Sequence, residues 1–83
     1  MNKLAHIMET YINGNITIAK RQSMFWKVDP LQIIECSEIF GLKRTINILK
    51  SFNVYDMHII NAFHDYNRNN IDEVKTILLN NFY

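Results

Sequence analysis

YINGNITIAK, residues 11–20, decides how the chain is built. Leu4, Ile7, Met8, Tyr11 and Ile12 lead into it at i, i+3, i+4, i+7 and i+8, the apolar stripe of one helix. Gly14 then stands where a helix C-terminus wants a left-handed residue, and Asn15 is a favoured N-cap for a second helix. Asn13-Gly14-Asn15 therefore reads as a corner between two helices. A phosphate-binding loop would need more glycines and a preceding strand, and the sequence has neither.

The same reading extends outward. The second helix runs from about Ile16 to Trp26, with Ile16, Ala19, Ser23 and Trp26 toward the core. Asp29-Pro30 opens a third helix, Asp as N-cap and Pro at the first helical position, with Gln32 placed to complete a capping box. Leu31, Ile33, Ile34 and Phe40 line that helix and Gly41 ends it. A fourth spans about Leu42 to Phe52, with Leu42, Ile46, Leu49 and Phe52 inward, and Asn53 forms the next joint. The fifth covers about Val54 to Tyr66 on Ile59, Ile60, Phe63 and Tyr66. Asn70, with Glu73 three residues on, caps a last helix through Ile71, Val74, Ile77, Leu78 and Phe82. No segment alternates with the period of a strand. The expectation is all-α: one compact domain over residues 1–83, five to six short helices joined by tight Gly/Asn corners.

Tyr11-x-x-x-Asn15-Ile16-Thr17-x-Ala19-Lys20 has an echo in Tyr66-x-x-x-Asn70-Ile71-Asp72-x-Val74-Lys75. Two copies fall short of the three or more that a repeat array needs, so independent corners with similar cap chemistry explain the echo better.

Eighty-three residues leave room for one core. Hydrophobic residues at 48% with a single proline and two glycines mark a globular chain. The formal net charge is +1, whereas proteins that live on phosphate contacts carry a clear excess of Lys and Arg. One cysteine, Cys36, excludes an internal disulfide and a multi-cysteine zinc site and fits a reducing compartment. No apolar stretch approaches the roughly 18–20 residues that span a bilayer, and MNKLAHIMETY is charged where a signal peptide is apolar. The expected location is the cytoplasm.

No catalytic, metal or cofactor set emerges. His58 and His64 lie six apart on nearly opposite helix faces, and His6 is remote in sequence. Glu35, Glu38, Asp56, Asp65, Asp72 and Glu73 fall at caps and solvated faces, where carboxylates belong. Cys36 sits on an apolar face and reads as a small hydrophobe.

Two surfaces remain. In KRQSMFWKVD, residues 20–29, Trp26 can face the core, which leaves Met24 and Phe25 on neighbouring angles beside Lys20, Arg21 and Lys27, either as an exposed group or as a second packed side of the helix. A Met-aromatic pair rimmed by cations is the composition of a protein-binding hot spot. SEIFGLKRTINILKSF, residues 37–52, resembles the helix-turn-helix family, with Leu42–Phe52 as recognition helix and Lys43, Arg44, Asn47 and Lys50 outward. Its apolar positions arrive one residue early after Gly41, and near-neutral charge also argues against DNA.

The phrase Tyr11-x-x-Gly14-Asn15-x-x-x-Ala19-Lys20-Arg21, with the Asn/Ile/Lys-rich wording and the size, resembles the small accessory proteins of T4-like tailed bacteriophages. The resemblance implies a protein in the host cytoplasm that binds and modulates a host or phage protein, and the chain is separately expected to be a monomer or homodimer. Inhibition of host defence, transcription modification and lysis inhibition are the activities it implies. It carries over no functional residues.

Overall fold

The computed structural model describes residues 2–80. Among the described residues six α-helices form: α1 (Lys3–Ile12), α2 (Ile16–Ser23), α3 (Pro30–Phe40), α4 (Leu42–Ser51), α5 (Asp56–Tyr66) and α6 (Ile71–Asn80). A 3-10 turn, Arg68–Asn70, leads into α6. There is no strand among the described residues, and the fold is all-α.

The corner at Gly14 is a Schellman motif. Gly14, at φ +96°, donates its N–H to the Tyr11 carbonyl at 3.0 Å, and Asn15 donates to the Thr10 carbonyl at 3.1 Å. α4 ends in the same way without a glycine. Asn53, at φ +63°, donates to the Lys50 carbonyl, and Val54 donates to the Leu49 carbonyl. Asparagine tolerates the left-handed region better than other residues with a Cβ, which explains its use at this joint.

α3 packs against α1, α4 and α5, so the core gathers around Ile33 and Cys36 together with Leu4, Ile46, Ile59 and Phe63, all fully buried. α6 closes the other side through Val74 and Leu78, lying on α4 and α5. α2 packs chiefly on α1 and buries only Ala19. The molecule is flattened, 31 × 31 × 19 Å.

Several expectations change. Ile16, Leu31 and Tyr66 are exposed rather than in the core, because no further helix among the described residues covers the sides they occupy. α2 stops at Ser23, three residues before the expected end, and a tighter turn carries the chain to Trp26. Asn15 makes no side-chain cap; only its carbonyl serves α2, accepting from Ala19 at 2.9 Å. Asn70 lies inside the 3-10 turn, so the corners at Tyr11 and Tyr66 are built differently. Phe82 lies outside the described residues.

Asp29 caps α3 as expected, its carboxylate accepting from Leu31 N–H at 3.1 Å. Gln32 forms no capping box. Its Oε1 instead accepts from Leu4 N–H at 3.1 Å and from Trp26 Nε1 at 2.9 Å. Asn2 complements it: Oδ1 accepts from Ala5 N–H, and Nδ2 donates to the Gln32 carbonyl. Two donors at the start of α1 are thus capped, one from α3 and one locally. Among the described residues Thr45 is the one fully buried polar residue, and its hydroxyl donates to the Cys36 carbonyl at 3.0 Å.

Gly41 alone separates α3 from α4, at φ +92° and ψ 151°, a region that only glycine visits readily. A Cβ there would meet nothing within 4 Å, so the cost of a side chain is purely backbone strain. Gly41→Ala should therefore lower stability by about 1–3 kcal/mol. Urea unfolding measures it; an unchanged midpoint would show that the corner relaxes without strain.

Candidate functional site

α2 positions the exposed tip through the way it ends. After Ser23 three successive i→i+3 hydrogen bonds tighten the chain: Met24 N–H to the Arg21 carbonyl, Phe25 to Gln22 and Trp26 to Ser23, at 3.1–3.2 Å. The Ser23 hydroxyl also donates to the Lys20 carbonyl at 2.6 Å. This turn swings Trp26 inward, where only 8% of it stays accessible and its indole N–H finds Gln32. Met24 and Phe25 are left on the outside, 80% and 78% exposed. Lys20, Arg21 and Lys27 are exposed beside them.

The five residues share one tip but divide between two troughs. Met24, Lys20 and Arg21 face Ser51, Phe52 and Asn53 at the end of α4 across a trough of about 390 Å³. Phe25 and Lys27 line another of about 420 Å³, with Lys3, Val28 and Pro30. The wedge between them is the Met24–Phe25 turn itself. A partner gripping it would contact α1, α2 and α4 together.

The residues expected on a DNA-reading helix separate. Lys43, Arg44 and Asn47 are exposed on α4, but Lys50 is half-buried and pairs with Asp56 in the first turn of α5. Asp56 there also meets the positive end of that helix, so the pair fastens the α4–α5 joint. The one-residue joint at Gly41 is shorter than the three- to four-residue turn of a helix-turn-helix.

Lys43, Arg44 and Asn47 instead border a trough of about 670 Å³ floored by Tyr11, Ile12, Phe40, Leu42 and Ile48. The sequence gives no sign of this trough. It forms where the last turn of α1 lies against α4, and neither stretch marks the other as its neighbour.

The remaining chemistry-bearing groups stay apart. His6 is exposed, His58 stacks on Tyr55 with ring centroids 5.9 Å apart, and His64 Nδ1 lies 3.3 Å from Asp65. No three His, Cys, Asp or Glu side chains gather as a metal site requires among the described residues. Burial pushes the Cys36 thiol up to about 12, opposed by the Asn2 side chain and assisted by the charge of Glu35. Its sulfur is therefore a protonated core atom at neutral pH. No helix among the described residues is long and apolar enough to cross a membrane.

Comparison with known protein families, with curated proteins and with solved structures finds no match to this chain.

Proposed function

We propose that this chain is a non-enzymatic binding module that docks onto another protein through the Met24–Phe25 tip and its rim of Lys20, Arg21 and Lys27. The observation that carries the reading is the exposure of two large apolar side chains next to a tryptophan held in the core. Surface methionine and phenylalanine contribute nothing to folding at such exposure, whereas each buried in a partner pocket typically contributes about 2 kcal/mol to binding. The resemblance to small phage accessory proteins supports a regulatory role in a host cytoplasm. There the module would inhibit or modulate a host or phage protein of defence, transcription or lysis control, as a monomer or homodimer. DNA binding through α4 is the second reading; it draws support from the shared exposure of Lys43, Arg44 and Asn47, and is weakened by the engagement of Lys50.

Met24→Ala/Phe25→Ala tests the proposal by two measurements on one sample. The thermal midpoint should stay within about 2 °C of the parent, since surface changes cost little. Capture of the partner identified by mass spectrometry with the parent chain should be lost. A collapsed midpoint would place these side chains in the core, and undiminished capture would move the working surface elsewhere.

A further inference from the structure

We propose that the tip is one end of a longer docking face running along α4, and that its occupant is an acidic amphipathic helix of the partner protein. The inference rests on the tip being a protein-docking surface and adds the chemistry of what it grips.

Two troughs carry it. The one beside Met24 has Lys20 and Arg21 on its edge, and the larger one over Ile48 has Lys43 and Arg44. No carboxylate among the described residues lines either. None of these four cations is in an ion pair among the described residues. The troughs adjoin: Tyr11 of the larger meets Phe52 of the smaller edge-to-face, with ring centroids 5.7 Å apart. Ile48 on α4 and Phe52, the residue that caps that helix, also stand one turn apart. Both troughs thus follow α4, which at ten residues is about 15 Å long.

The alternation of apolar floor and cationic edge selects the occupant. Apolar anchors spaced i, i+3/i+4 and i+7 on a helix fill successive troughs, while carboxylates on its flanks meet the four cations. A second copy of this chain would bring the same four cations against them and be repelled. A nucleic-acid duplex could satisfy the cations but offers no apolar knobs for floors made of Tyr11, Ile12, Leu42 and Ile48.

The test uses the whole chain, labelled for amide NMR, and a synthetic peptide of about four helical turns with a leucine stripe flanked by glutamates. Its control carries lysine for every glutamate, and a short duplex DNA is the third probe. The glutamate peptide should shift the amides of Lys43, Asn47 and Ile48 together with those of Lys20, Arg21 and Met24. Binding should weaken with salt and fall about tenfold or more for Lys43→Glu/Arg44→Glu, with the milder Arg44→Gln in the same direction. The amides of Ile59, Ala62 and Phe63, buried in α5, report whether each variant keeps its fold. Equal binding of both peptides, or of neither, overturns the inference. Shifts confined to the tip overturn the extended face and leave the docking role of the tip standing. Shifts along α4 with the duplex alone would assign that face to nucleic acid.

Discussion

Trp26→Ala should cost the fold about 3–5 kcal/mol, whereas Phe25→Ala, one residue earlier, should cost less than about 0.5 kcal/mol. The two rings occupy opposite sides of one turn. Trp26 is 8% accessible and lies in the core cluster, so truncation leaves a cavity that the surrounding helices cannot close. Phe25 is 78% exposed, and its removal takes nothing out of the interior. A domain of 83 residues has a total stability on the order of 4–12 kcal/mol, so Trp26→Ala removes a large part of it. Urea titrations of the two variants side by side give the answer. Equal losses would mean that Phe25 also packs inward, and the case for the tip as a docking surface would end there.

The local rules of helix building held where they concern one residue's own backbone, and failed at two side-chain caps, those of Asn15 and Gln32. Gly14, Gly41 and Asp29-Pro30 mark real boundaries because a positive φ or a fixed proline φ is a property of one residue. Apolar period located the stripes of α1, α4 and α6, since Leu4, Ile7, Ile46, Leu49, Val74 and Leu78 are buried as their spacing requires. Period cannot say whether another element arrives to cover a stripe. α2 has only α1 beside it in any extent, so Ile16 stays outside although its spacing to Ala19 is right.

The same limit governs the site. The angle of Trp26 on the second helix leaves Met24 and Phe25 on a second side, and helical spacing does not choose between solvent and a packed neighbour for that side. The division into two troughs depends on where Lys3 and the end of α4 come to lie, which their own stretches of sequence do not state. Lys50 carries the residue type of a DNA reader, but its partner Asp56 sits beyond a helix boundary that the sequence left near Val54. The trough under Lys43 and Arg44 has part of its floor, Tyr11 and Ile12, supplied from α1, and no periodicity links those segments.

Gln32 is where local and tertiary chemistry part most clearly, and Gln32→Leu should cost about 2–4 kcal/mol without changing side-chain volume much. At the third position of α3 its expected task was to close a capping box; its Oε1 is committed instead to Leu4 N–H and Trp26 Nε1. Leucine fills the space but accepts neither bond. Each donor left unpaired away from water costs about 1–3 kcal/mol, and the two losses share one side chain, so they need not add fully. Gln32→Glu is the control: it retains an acceptor oxygen for both donors, and a carboxylate in the first turn of α3 suits the helix dipole. Trp26 is the single tryptophan, so its fluorescence reports on this node directly. Gln32→Leu should shift the urea midpoint down and alter the native emission, with Gln32→Glu close to the parent in both. Because Trp26 fixes the turn that presents Met24 and Phe25, Gln32→Leu should also weaken partner capture in conditions where the chain is still folded. A leucine variant as stable as the parent would show that water serves Trp26 and Leu4 as well as Gln32 does, and that the tip owes its position to packing alone.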